Sequence, residues 1–566
     1  MKNLFKSALL FCLVAFLFSS CGKKNEEGKM IPESAVFVAQ VNMKSVSEKL
    51  SWNEIKETSW YQKAYSDSST PQWRKKILDN PATSGIDFNS SLTFFINKSS
   101  GSDYYYVVEG KLKSEKDFEQ FNKNFDPSQT IKKSGDISIL TLKDKNVVGW
   151  NDSYFAYVMN SATTASEMYS WNDADGNQTG IAPDDNSEDL ATFCAKLFSL
   201  KADSSLAKND KFSNLLKEKG DLHFWQNTEE IMKGIPNMGM LGMLKLDVFF
   251  KDNISTFSVS FDKGKIEIDQ KGYAGKELTD FMKKNKGSKI NTDMIKNIPS
   301  QNVFGIFAMN FKPEAIKELI QLTGTDGMVN MYLQQLGFSL DDLSKANNGD
   351  LLVALSDFKM KTDSVTDGDD KGNTLNTTGY TKPDVNFIFS MGVKDKPSFQ
   401  KIINAGKKMS AEMGKDTSLT FALNDKFFAF SNSNSLTTQY LAGNNNKFDF
   451  MDKISGQPIA FFLDLHKLLS EVATGKIRNA DDKALLDQSL KIWNTVTMAG
   501  GDIKEDAFTS KTEVNLIDQN TNSLKQLNHY FDEMFKINEA KRARNVPVKN
   551  LDSLLTPPPI DTVKVQ

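Results

Sequence analysis

The chain repeats itself, and the repeat limits its fold more than any single segment does. Ile31–Leu50 (IPESAVFVAQVNMKSVSEKL) returns as Ile298–Ile320 (IPSQNVFGIFAMNFKPEAIKELI). Each copy reads Ile-Pro, a short gap, an apolar strand, an Asn and an amphipathic helix. Asn42 and Asn310 close the strands, where a short amide side chain can cap the incoming helix. Four more pairs follow in the same order. Tyr104–Phe125 matches Asn386–Gly406, a strand, a polar turn and a helix that turns Phe118 and Phe399 inward. Asn151–Asn160 matches Asn424–Ser433, where Asn-Asp makes a tight hairpin turn. Gly220–Met232 matches Gly456–Val472, again strand then helix, and Ser255–Lys284 matches Asp506–Phe535, paired strands leading into a closing helix. Chance similarity explains one such pair; the common order indicates duplication.

The strands alternate in polarity and are joined by hairpins as often as by helices, which predicts antiparallel sheets covered on one face. The expected class is α+β: two tandem related domains, each a mainly antiparallel sheet with helices packed on it. The halves fall at residues 31–290 and 291–540. Insertions distinguish them. Asp67–Asn80 adds a helical segment with Trp73, Ser161–Asp189 reads as a polar loop, and Asp357–Lys382 reads as a polar, Gly-rich, mobile stretch. Residues 541–566 turn basic and then Pro-rich, which predicts a disordered tail.

The start of the chain carries an address. Lys2 and Lys6 precede an apolar run, Ala8–Phe18, well under the ~20 residues that cross a bilayer. Ser19, Ser20 and Cys21 follow. The segment resembles the lipobox of lipoproteins cleaved by signal peptidase II, in the relaxed form of Bacteroidota, with Leu17 at −4 from the cysteine. That resemblance implies a signal peptide over 1–20, lipid such as palmitate on Cys21, and anchorage to the outer membrane, at its periplasmic face or on the cell surface. Residues 21–30 read as a flexible tether. Glu26 and Glu27 resemble the acidic surface-export signal of such lipoproteins, diluted by Lys23 and Lys24.

The lipobox, the repeated Ile-Pro strand with its Asn and helix, and the duplicated layout together resemble a family of Bacteroidota lipoproteins, the domain of unknown function 4836 family. The resemblance spans nearly all of the mature chain. Its motifs are structural, so it implies a fold and carries over no functional residue.

Composition excludes several chemistries. A net charge of −3 gives no sign of a nucleic-acid partner. Cys12 leaves with the signal and Cys21 takes lipid, so only Cys194 remains and no intramolecular disulfide is expected. His223, His466 and His529 lie far apart, against a Cys/His zinc site. Cys194, in the run LATFCAKLFSL, reads as a buried small hydrophobe. Trp171–Asn177 mimics part of an EF-hand loop but lacks its first ligand and its closing Glu, and Asp363–Asn373 reads as a solvated acidic loop. Asp464 is the acid to inspect for a glycosidase-like pair, and its simpler role is a helix N-cap. Pro236–Phe250 reads first as a loop plus a buried strand, and Met238, Met240 and Met243 would alternatively suit an adaptable apolar patch. Trp52, Trp60, Tyr61 and Trp73 could stack on sugars, but Trp52 and Trp60, about two helical turns apart, read as core more than as a platform.

These observations assign no catalytic residue, no cofactor and no metal; the one site named is lipidation at Cys21. The function expected is a lipid-anchored envelope protein with a non-catalytic binding or scaffolding role. Its partners would be the membrane, through the N-terminal lipid, and an envelope protein or glycan. The alternatives are a carboxylate-dependent hydrolase acting on glycan or peptide and a carrier of an apolar ligand.

Overall fold

The computed structural model describes residues 27–98, 104–125, 127–142, 145–160, 189–233, 245–368, 374–412, 420–475 and 479–545. The first half of the chain supplies β1 (Ala35–Asn42), β2 (Ser91–Lys98), β3 (Tyr104–Lys111), β4 (Lys132–Ser134), β5 (Ile137–Thr141), β6 (Val147–Trp150), β7 (Tyr154–Asn160), β8 (Leu222–Asn227), β9 (Ile254–Asp262) and β10 (Lys265–Tyr273). The second supplies β11 (Val303–Asn310), β12 (Asn347–Gly368), β13 (Thr374–Val393), β14 (Thr420–Leu423), β15 (Phe427–Ser431), β16 (Ile459–Asp464), β17 (Trp493–Lys504) and β18 (Ala507–Leu516). All pair antiparallel, with helices packed on the sheet, so the class is α+β.

The pairings join all eighteen strands into one sheet. From β10 outward the order is β9, β8, β1, β2, β3, β7, β6. From β18 outward it is β17, β16, β11, β12, β13, β15, β14. The first series goes on through β5 and β4; as far as β6 and β14 the two mirror each other, strand for strand. They meet where β10 pairs with β18, with Asp269 opposite Lys511 at the midpoint of that ladder.

Period-two alternation gives the sheet two distinct faces. On the first face, Val38 stands opposite Phe95 and Trp225, and Phe95 opposite Val107. These pack with Ile31 and with Phe193, Cys194, Leu197, Phe212 and Leu215 from helices Leu190–Phe198 and Asp210–Leu215. The matching region of the second half packs Ile306, Ala354, Ile388 and Phe462 against Met294, Ile295, Tyr440 and Ile454. On the second face the covered cores lie at the outer strands. Phe118 of helix Glu115–Lys123 packs on Leu140, Val148, Trp150 and Phe155. Phe399 and Ile403 of helix Lys396–Glu412 pack with Ala346 against Met391, Phe421 and Phe428. Phe118 and Phe399 therefore point inward as the sequence predicts, and burying each such ring stabilises by roughly 1.5–3 kcal/mol.

The matched hairpins share one device. Asn151 Oδ1 accepts from the backbone N–H of Ser153 and Tyr154, and Asn424 Oδ1 from that of Lys426 and Phe427. Asn42 caps its helix by accepting from Ser45 N at 3.1 Å. Asn310 does not; its side chain accepts from Ser288 N and donates to Asp350 Oδ1 at 2.7 Å.

Four further expectations change. The tether over 21–30 is too long, because Gly28 and Met30 are buried in the fold. Gly28 has φ +81°, and a Cβ there would come within 2.7 Å of the Phe212 ring, so glycine is required. The segment Asp506–Phe535 holds one strand, β18; its partner β17 precedes the range. In place of a mobile stretch at Asp357–Lys382, β12 and β13 continue pairing out to Gly368 opposite Thr374. Polar residues at that reach satisfy their backbone groups by pairing with each other rather than by burial. Finally, residues 541–545 extend helix Ser523–Asn545 rather than opening the tail. That helix touches both halves: Asp532 accepts from Ser59 N at 2.6 Å, and Tyr530 packs edge-on to Trp493. The polar loop expected over Ser161–Asp189 lies outside the described residues except for Asp189, and residues 546–566 lie outside them entirely.

Candidate functional site

The second face of the sheet, between its two covered ends, presents an unbroken apolar row. Val41 stands opposite Leu222, Leu222 opposite Val259, and Val259 opposite Ile268. The row crosses the junction from Ile268 to Thr512 and goes on through Met498, Phe461, Phe307 and Val353. A neighbouring row adds Phe94, Phe224 and Phe257. All of these side chains are only half-buried, and from Val41 to Val353 none belongs to a buried core.

The helix over part of this face is equally uncommitted. Helix Leu465–Thr474 lies along β11, β12 and β17, and none of its residues is fully buried. Leu465, Leu468, Leu469 and Val472, spaced to share one face, all remain half-buried. Solvent therefore reaches both the sheet and the helix, and the arrangement is a trough spanning nine strands from β1 to β12. Apolar surface of this extent on both elements, left without close packing, marks a place that receives something apolar.

The first face carries a second feature. Along one row, Glu109 stands opposite Thr93, Thr93 opposite Gln40, Gln40 opposite His223 and His223 opposite Ser258. All five are buried. Ser258 donates to Glu218 Oε2 at 2.8 Å, and the His223 ring lies 3.1 Å from the Glu218 carbonyl. Glu109 Oε2 has no hydrogen-bond partner among the described residues. It adjoins a cavity of about 40 Å³, room for about one water, lined by Gly28, Met30, Gln40 and Thr93. Burial pushes the Glu109 carboxyl up to about 8, so it is largely protonated at neutral pH. Sequence reading missed it. The signal was present: Glu109 follows Tyr105 and Val107 at period two, on the face they bury.

The residues singled out from sequence do not converge on one site. Asp464 caps helix Leu465–Thr474, accepting from Lys467 N at 2.8 Å. It also edges an open cleft of about 510 Å³ that holds Asp449, Lys447, Lys453 and Lys467. Cys194 is buried, and desolvation pushes its thiol up to about 12. His223 sits in the polar row, while His466 and His529 lie on separate helices. Trp52 Nε1 and Tyr61 OH both donate to the Leu78 carbonyl, and Trp73 packs on Phe125. Trp60 departs from the core expectation, at 38% exposure. Among the described residues no group of three or more His, Cys, Asp or Glu could hold a metal, and no helix is long and apolar enough to cross a membrane. Cys21, Glu26, Trp171–Asn177 and Met238, Met240 and Met243 lie outside the described residues, and Asp363 is the near end of the acidic stretch, 2.5 Å from Lys382.

Fold and site together define an α+β protein with one antiparallel sheet, an apolar trough on one face and a buried polar row on the other. The model of the family described as Domain of unknown function (DUF4836) matches residues 28–448, and the chain belongs to that family. No curated protein matches the chain. Among solved structures, crystal forms III and IV of TP0453 share 8% and 9% identity with it, each at a TM-score of 0.24. Both cover 44% of this chain, and 79% and 83% respectively of their own length is matched.

Proposed function

We propose that this protein is a lipid-anchored component of the cell envelope that binds an apolar ligand without chemically changing it. The observation that carries the reading is the half-buried apolar row from Val41 to Val353, with helix Leu465–Thr474 over only its β17, β11 and β12 part. Leaving so many Phe, Ile, Val and Met side chains half-exposed forgoes stabilisation of roughly 25 cal/mol per Å². A bound apolar molecule would recover it. The lipobox-like segment ending in Cys21 supports anchorage at the outer membrane.

Two experiments test the two parts. Cells grown with an alkyne-tagged palmitate should label this protein, and Cys21→Ser should abolish both the label and its sedimentation with membranes; retention of either removes the anchor. An uncharged apolar fluorophore such as N-phenyl-1-naphthylamine should brighten on binding the purified protein. Phe461→Lys should weaken that binding at least tenfold with an unchanged circular dichroism spectrum. Undiminished binding by a folded variant removes the trough as the site.

A further inference from the structure

Resting on the trough reading above, we propose that its occupant is a long-chain acyl group, lying across the strands with its polar head outside. Three observations select that class. First, the nine strands from β1 to β12 are interior strands, each laddered on both sides. No free edge is offered for a peptide to extend the sheet, and an extended peptide laid on this face would strand its own amides against apolar side chains. An alkyl chain has no such groups to satisfy.

Second, the row holds nothing that would seat a charged head. From Val41 to Val353 its one polar member is Thr512. In the adjacent row the polar pair at the junction is already spent, since Ser510 donates to Gln270 at 3.3 Å. A carboxylate or phosphate must therefore stay outside. Third, the length fits. Nine strands at about 4.8 Å spacing span ~38 Å. One leaflet of a bilayer core is about 15 Å deep, so an extended acyl chain fits within the trough. The helix Glu115–Lys123 at one end, and Lys396–Glu412 at the other, close it lengthwise.

The test uses the full chain carrying Cys21→Ser in detergent-free buffer, with N-phenyl-1-naphthylamine as reporter and saturated fatty acids as competitors. Palmitate should displace the reporter at one equivalent, and affinity should rise by at least ~100-fold from octanoate to palmitate, because each added methylene finds more apolar wall. Phe307→Lys should weaken palmitate at least tenfold, and Phe307→Leu should restore it. Reporter binding that palmitate cannot displace leaves the apolar site standing and overturns the acyl assignment. No reporter binding overturns both. Displacement lost on Met331→Lys but kept on Phe307→Lys moves the site to the exposed Met328, Met331 and Tyr332 face of helix Asp326–Gln335, and the proposal fails.

Discussion

The two halves build the same strand order around apolar cores, but one buried cross-strand row differs in character between them. In the first half the buried row reads Ala156, Glu109, Thr93, Gln40, His223, Ser258. At the matching strands of the second half it reads Ala429, Ser390, Leu352, Ala308, Ala460, and it ends on the half-buried Ala499. The rows join through Asp269 and Lys511 at the junction. One backbone plan thus accepts either polar or apolar contents, because the ladder hydrogen bonds do not depend on the side chains. What changes is the response to pH, since only a polar interior can store a proton.

The largest expected effect follows from that contrast. Glu109 takes its proton near pH 8 when folded against 4.5 for an ordinary glutamate. The folded state then binds a proton that the unfolded state has released. Its stability is full below about pH 4.5, falls as pH rises towards 8, and is flat beyond, a loss of roughly 5 kcal/mol. Urea midpoints should show this decline, and Glu109→Gln should abolish it; an unchanged slope in the variant would place the pH dependence elsewhere. Ser390→Ala, at the matching place in the second half, should leave the slope alone.

The next contrast concerns buried acids near the strand–helix junctions. Asp221, 1% exposed, accepts from Ser45 Oγ, Lys49 Nζ and Phe261 N at 2.5–2.6 Å. Asp350 in the second half accepts from the neutral amides of Asn291 and Asn310. Asp221→Ala leaves an ammonium without its partner and should cost ~3–5 kcal/mol, against ~1–3 kcal/mol for Asp350→Ala. Equal costs in chemical denaturation would refute the asymmetry. A smaller effect should fall in both halves: Asn151→Ala removes two turn hydrogen bonds and should cost ~1 kcal/mol, while Asn424→Ala removes the same two and the amide's bond to the Leu441 carbonyl and should cost ~1–2 kcal/mol. The smallest is the exposed ion pair Lys283–Asp506 between the halves. Lys283→Ala should change the unfolding midpoint by well under ~1 kcal/mol, and any loss should vanish in high salt.

Much of the architecture was legible locally. The Ile-Pro strand, the inward Phe118 and Phe399 and the Asn-Asp hairpins are set by neighbours a few residues apart, so the sequence pattern carries them. The trough was not legible. Leu222, Ile268, Phe461 and Phe307 look like ordinary strand residues, and alternation cannot say which face another element will cover. Strand β17 escaped because WNTVTMAGGDIK holds two glycines and mixed polarity. The long β12–β13 ribbon escaped because its polar residues signal a loop while its backbone pairs with itself. The extra turn of helix Ser523–Asn545 escaped because a basic run reads as solvated whether or not it is helical.

The sequence by itself indicated the α+β class, most of the strands and helices in order and the burial of Cys194, and it carries the internal similarity of the halves and the lipobox-like leader. These rest on short-range periodicity, turn chemistry and composition. Only the tertiary structure decided that the two strand series fuse through β10 and β18 into one sheet. It alone decided that Glu109 is buried with an oxygen unpartnered among the described residues, and that one apolar face stays half-covered from β1 to β12. Each of those depends on residues tens to hundreds of positions apart meeting in space, and their separation leaves no mark on local pattern.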